Sequence, residues 1–167
     1  MVEISGEKWE GVGIEASQHT GTAAVSTFLG SYTYTLDDKG RVSLPAAFRR
    51  DAEDQRFVLL QVEDPSLALY PERAWREVED RLRNLLRNDP KARLWVSRVL
   101  GKAVEVSPDS QGRILVPSKL QEAARLEGQV LMVGMIDRVD LWNPADFEGA
   151  VEGKEEEFER YAPQIFR

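Results

Sequence analysis

Asp37-Asp38-Lys39-Gly40-Arg41-Val42-Ser43-Leu44-Pro45 returns later in the chain as Asp109-Ser110-Gln111-Gly112-Arg113-Ile114-Leu115-Val116-Pro117. The offset is 72 residues (109 − 37) and holds without a gap for about forty residues. Val58-Leu59 falls on Val130-Leu131, Leu69-Tyr70 on Leu141-Trp142, and Trp75 on Phe147. An internal repeat of this kind is one supersecondary unit used twice. It predicts a pseudo-two-fold domain that presents the same D-x-x-G-R loop twice.

Outward from the loop, each repeat follows one plan. Ser31 to Leu36 is β-branched and aromatic and reads as a strand. Asp37-Asp38-Lys39-Gly40 is a turn, because Asp bonds its own backbone and Gly supplies positive φ. Arg41-Val42-Ser43-Leu44 alternates as a second strand and Pro45 ends it. A short helix from Ala46, a strand from Phe57 and another from Leu67 complete the unit. The second copy runs from Ala103 through the turn at Asp109 to Trp142. Between the copies, Trp75, Val78, Leu82 and Leu85 recur at helical spacing. Asn88-Asp89-Pro90 breaks that helix and starts another, with Asp89 as N-cap and Gly101 at its end.

The organisation expected is a mobile extension over 1–27, a first repeat over 28–71, a connecting helical hairpin over 72–101, a second repeat over 102–150 and an acidic tail over 151–167. Four short strands and one small helix bury too little surface alone, so the two units must interleave or pack face to face. The fold class is α+β, mainly β, with a barrel-like core.

Composition narrows the function. The 167 residues suit one domain, and 42% apolar content is globular. No apolar run approaches the ~18 residues of a membrane helix, and the first residues lack the pattern of a signal peptide. With no cysteine there are no disulfides or thiolate metal sites, and a cytoplasmic location is expected. The only histidine, His19, lies in the N-terminal extension, so no histidine-based triad or zinc site is supported and no cofactor or metal is expected. Net charge is −7, yet residues 72–102 carry nine bases and five acids. An acidic whole argues against coating by nucleic acid but leaves room for a local basic face.

The loop has two readings. In one, Asp37 with Arg41 and Asp109 with Arg113 are salt-bridged turns that serve only the fold. In the other, each arginine leaves the edge of a rigid hairpin with a planar fork of donors suited to phosphate or to guanine O6/N7.

Phe28-Leu29-Gly30, the Leu36 to Pro45 run, Leu69-Tyr70-Pro71, the second D-x-x-G-R and Leu141-Trp142 together resemble the MraZ family over roughly residues 28–150. The resemblance implies tandem AbrB-like swapped-hairpin halves in a pseudo-two-fold barrel. It implies ring-shaped homo-oligomers, associated with the nucleoid, that bind direct repeats in double-stranded promoter DNA of the division and cell-wall gene cluster. It carries DNA contact to Arg41, Arg113 and Lys39, and by the wider AbrB pattern to Arg49 and Arg50, with Asp37, Gly40, Asp109 and Gly112 supporting the motif. Gln111, Gln121 and Glu122 stand where Lys39, Arg49 and Arg50 stand in the first copy, so the first repeat is expected to carry more DNA contact. A long extension before Phe28 departs from the family pattern.

Two rival readings stand beside this one. Asp37 and Asp109 are related as the paired aspartates of a two-fold hydrolase are. However, an arginine four residues after each holds it ionised, and the expected Ser/Thr-Gly is missing. Alternatively, the acidic tail with Phe158, Tyr161, Ile165 and Phe166 serves an antitoxin-like protein-binding module. Trp75, Trp95 and Trp142 are expected in the core or a subunit interface, and no membrane or small-molecule partner is implied.

Overall fold

The computed structural model describes residues 27–50 and 56–166, with the side chain of Arg50 outside that description. The extension expected over 1–27 therefore lies outside the described residues except for Thr27.

In chain order the elements are β1 (Ser31–Thr35), β2 (Arg41–Ser43), α1 (Ala46–Arg50), β3 (Phe57–Leu60), β4 (Leu67–Pro71), α2 (Glu72–Asn88), a 3-10 turn (Pro90–Ala92) and α3 (Arg93–Leu100). Then follow β5 (Val104–Val106), β6 (Arg113–Leu115), α4 (Ser118–Ala123), β7 (Gln129–Gly134), β8 (Val139–Trp142), α5 (Pro144–Val151), α6 (Glu155–Phe158) and α7 (Ala162–Ile165). The fold is mixed α and β.

Two antiparallel assemblies form from these strands. One is a six-stranded sheet in the order β1-β7-β8-β4-β3-β5, and the other is a ribbon of β2 with β6. The first strand of each repeat pairs with the other repeat: β1 with β7, and β5 with β3. β4 and β8 meet at the centre. Under the 72-residue offset β1 corresponds to β5, β3 to β7 and β4 to β8. Exchanging the repeats reverses the strand order and changes nothing else.

The barrel expected from the repeat does not close. β1 and β5 stand at the two edges of the sheet, and β2 and β6 pair only with each other. These two strands are three residues long and run into Pro45 and Pro117, which cannot continue a ladder. A ribbon laid on a sheet is the result.

The main core lies between them. Val42 and Ile114 point inward from the ribbon and meet Leu59, Leu69, Val130 and Leu141 from the sheet. Burying one such side chain contributes about 1.5–3 kcal/mol. Phe48 of α1 stands edge-on to Phe28 at 5.6 Å and to Tyr32 at 5.3 Å, pinning the short helix to β1. The opposite face of the sheet carries a smaller cluster, in which Leu60 and Ala68 meet Trp75 of α2 and Val99 of α3. Period-two alternation along β4 sends Leu67 and Leu69 to one cluster and Ala68 to the other.

The helix signals act as their chemistry dictates. Pro71 is the last residue of β4 and the N-cap of α2, so its missing N–H costs no helical bond. Asp89 accepts from the amide of Lys91 at 3.0 Å. Asn143 accepts from the amides of Ala145 and Asp146 at the start of α5. Trp75 is buried and Trp142 packs edge-on to Phe147, whereas Trp95 is 48% exposed and lies outside the core.

Candidate nucleic-acid interface

Each D-x-x-G-R loop is tied by its aspartate. Asp37 Oδ1 accepts from the amides of Lys39 at 3.0 Å and Arg41 at 2.8 Å. Its Oδ2 accepts from Arg41 Nε at 2.8 Å. Asp109 repeats the pattern with Gln111, Arg113 and Arg113 Nε at 2.9, 3.0 and 2.9 Å. A local side-chain-to-backbone bond of this kind organises a turn before any tertiary contact forms. The arginine backbone amide first, with the second amide and the guanidinium behind it, holds each carboxyl below its ordinary value against some opposing burial.

The glycines close the turns and let the repeats touch. Gly40 sits at φ +81° and Gly112 at φ +76°, where an L side chain is strained. Each also lies under a side chain from the other repeat. A Cβ on Gly112 would stand 2.6 Å from Arg49 Cζ, and one on Gly40 would collide with Gln121 Nε2 and stand 2.9 Å from the Val116 carbonyl oxygen. Arg49 Nε donates to the Leu44 carbonyl at 3.1 Å, and Gln121 Nε2 donates to the Val116 carbonyl at 2.7 Å. The amides of Leu44 and Val116 donate across to the carbonyls of Gly112 and Gly40. Position 49 and its equivalent 121 therefore do the same job: each covers the turn of the opposite repeat.

Register decides where the arginines point. Arg41 lies opposite Leu115, Val42 opposite Ile114, and Ser43 opposite Arg113. Val42 and Ile114 face the core, so by alternation Arg41, Ser43, Arg113 and Leu115 share the outer face. Arg41 and Arg113 are diagonal neighbours on it, roughly 7–8 Å apart at the backbone. Each spends Nε on its own aspartate. Among the described residues the Nη groups have no hydrogen-bond or ion-pair partner, so each guanidinium is held at its stem and its Nη donors are unengaged.

Of the residues singled out in the sequence, Arg41 and Arg113 come together on this face. Lys39 is exposed at the tip of the first turn. Arg49 is exposed too, but it reaches the loop of the second repeat rather than standing alone on its helix. Arg50 ends α1, with its side chain outside the described residues.

Sequence reading missed three residues. Leu115, 53% exposed, and Ser43 flank the arginines, and simple i+2 alternation from Arg113 and Arg41 marks both. Gln121 was read only as a lost arginine. Its covering of Gly40 depends on cross-repeat contact, which the sequence signals only through its offset from Arg49.

The two-aspartate arrangement does not form. Asp37 closes the turn at one end of the ribbon and Asp109 closes the turn at the other, each on its own arginine, so the carboxyls share no proton. Another polar cluster joins Tyr70, Arg138 and Asp140. Arg138 Nε donates to Asp140 at 3.0 Å, and burial pushes the Asp140 carboxyl up while Arg138 draws it back. Alternation along β4 and β8 turns this cluster away from the ribbon. Among the described residues no group of three or more His, Asp or Glu is placed to hold a metal, and no helix is long and apolar enough to cross a membrane.

Comparison with known proteins follows the duplication. The family model described as "MraZ protein, putative antitoxin-like" matches residues 27–97 and again 99–165. A protein of Pediococcus pentosaceus named Transcriptional regulator MraZ is 38% identical over 138 residues, 83% of this chain and 96% of that protein. One of Moorella thermoacetica with the same name is 37% identical over the same shares. A Desulfitobacterium hafniense protein, also so named, is 40% identical over 118 residues, 71% of this chain and 82% of that protein.

Proposed function

The chain belongs to the MraZ family, and from that premise we propose that it is a sequence-specific DNA-binding transcriptional regulator of the bacterial division and cell-wall gene cluster. Relatives named transcriptional regulators support the regulator role. In this reading the cross-repeat strand pairing is that of two interleaved AbrB-like swapped hairpins. The chain acts as a ring-shaped homo-oligomer on promoter direct repeats.

One observation carries the reading: Arg41 and Arg113 leave the same outer face of the ribbon with their Nη groups unengaged among the described residues. A monomer offers few cations over an acidic body, so its affinity is poor. A ring lines up many copies of Arg41, Arg113, Lys39 and Arg49. Linked weak contacts then gain from effective concentration on a DNA with matching repeats. Phosphate neutralisation supplies affinity and salt sensitivity. An arginine entering the major groove supplies base choice, about 1–3 kcal/mol per bidentate pair. The first repeat, with Lys39 and Arg49, carries the larger share, and the acidic remainder of the surface discourages non-specific coating.

The test is size-exclusion with light scattering, followed by salt-titrated binding to the chain's own upstream DNA. Arg41→Ala should weaken promoter binding at least about tenfold with circular dichroism unchanged. Unchanged affinity in that folded variant would remove the loop from the interface.

A further inference from the structure

A second surface remains unused by this reading. The apolar stripe of α2 begins buried at Trp75 but continues to Leu85 and Leu86 at the far end, where both are exposed. Across the 3-10 turn, Leu94 is 82% exposed, and Trp95 is also open to solvent. Residues 84–102, the tip of the hairpin, hold five bases against the single acid Asp89. Nearer the start of α2, Arg76, Arg81 and Arg83 are paired with glutamates on the same helix. At the tip, Arg87, Lys91, Arg93 and Arg98 form no ion pair among the described residues. The tip is thus apolar, basic and uncompensated.

The opposite composition stands at the end of the chain. Residues 152–166 hold five acids against two bases. All of them are exposed, among them Phe158, Tyr161, Ile165 and Phe166, the last at 85%. Four large apolar side chains in a short acidic segment is more than scattered surface apolarity explains. No hydrogen bond or ion pair among the described residues joins this arm to the hairpin of its own chain.

We propose that the C-terminal arm of one copy docks on the hairpin tip of a second copy, its aromatic residues against Leu94 and Trp95 and its glutamates against Arg87, Lys91 and Arg93. The proposal rests on the assembly reading above and assigns the surface through which copies hold one another. Apolar anchors desolvated at the centre, with charge pairs around them, are the usual anatomy of a stable interface. The charges fix which segment docks where, since like charges brought together would be costly.

Charge exchange in the full chain tests it. A hairpin variant carries Arg87→Glu, Lys91→Glu and Arg93→Glu. An arm variant carries Glu155→Lys, Glu156→Lys and Glu159→Lys. Each should raise the concentration needed for assembly at least about tenfold by light scattering, and combining the two sets should restore it. Trp95→Ala should act in the same direction with helix content unchanged. A chain that assembles equally well after deletion of residues 155–167 overturns the docking and leaves the assembly reading standing. A wild-type chain that stays monomeric at every concentration removes both. Hairpin variants that lose DNA affinity at unchanged mass make the tip a DNA contact and overturn the docking. So does an arm that docks at unchanged mass, which would place it on its own hairpin.

Discussion

The two copies of the loop agree where they build the turn and differ where they face out. Both have the aspartate that accepts from two amides, the glycine at positive φ and the arginine bound through Nε. Both place a long polar side chain over the other repeat's glycine. Outward, Lys39 in the first copy corresponds to Gln111 in the second, Ser43 to Leu115, and Arg49 to Gln121. What is duplicated is the scaffold that aims an arginine, and what has diverged is the chemistry around that arginine. The fold therefore needs both halves alike, while on the proposed reading recognition uses them unequally.

The largest effect should come from breaking that inequality directly. Arg41→Ala and Arg113→Ala remove the same group from the same geometry. Arg41→Ala should cost the more promoter affinity, of order 1–3 kcal/mol per engaged site, and Arg113→Ala distinctly less. Titration of each folded variant against one promoter fragment measures the ratio. Equal losses would mean that Lys39 and Arg49 add nothing and that the halves read DNA alike.

A second comparison concerns stability. Gly40→Ala and Gly112→Ala each force a strained φ, a cost of about 1–2 kcal/mol. The new Cβ at Gly40 also meets the backbone carbonyl of Val116, which cannot swing aside. At Gly112 the three nearest atoms all belong to the Arg49 side chain, which can. Thermal unfolding should therefore show Gly40→Ala as the less stable variant. The reverse order would mean that Arg49 is locked more firmly than the Val116 backbone.

Much of this was legible in the sequence because the signals are local. The turn at Asp37 needs only an acid, a glycine and an alternating strand, and the helix boundaries at Asp89 and Asn143 need only caps. The duplication itself announced a pseudo-two-fold arrangement. The open sheet was not legible, because whether β1 closes on β5 depends on long-range pairing that no short pattern encodes. Nor was the second partner of Arg49: nothing local on a short helix signals that its guanidinium lies over the other repeat's Gly112. Leu115 was missed for a simpler reason: a leucine in a strand reads as core unless the i+2 alternation from Arg113 is followed through.

Arg49→Gln makes the first repeat resemble the second at one position. Gln121 shows that an amide can reach the carbonyl five residues back and cover the facing glycine. Stability should therefore change little, by less than about 0.5 kcal/mol, the usual range for a surface exchange. DNA affinity should fall modestly and uniformly across sequences, and the salt slope should drop by about one unit per engaged copy. A large loss of stability with an unchanged slope would make Arg49 a structural residue alone.

The smallest effect is one of pH, and it asks whether the two turns are alike as titrating units. Asp37 and Asp109 are held below the ordinary carboxyl value by the amide of the following arginine. In the unfolded chain each takes up a proton near the ordinary value of about 3.9. The folded state resists that proton, so the stabilisation is fully present above that value and is lost as pH falls through the depressed one. The contribution of these turns to melting temperature should thus be full and constant between about pH 5 and pH 8, and should decline below about pH 4. Asp37→Asn and Asp109→Asn should each shallow that acid limb by a similar amount, because the donors around both carboxyls are the same. If one variant flattens the limb and the other leaves it untouched, the duplicated turns differ energetically in spite of their shared geometry, and the divergence reaches the scaffold as well as the outer face.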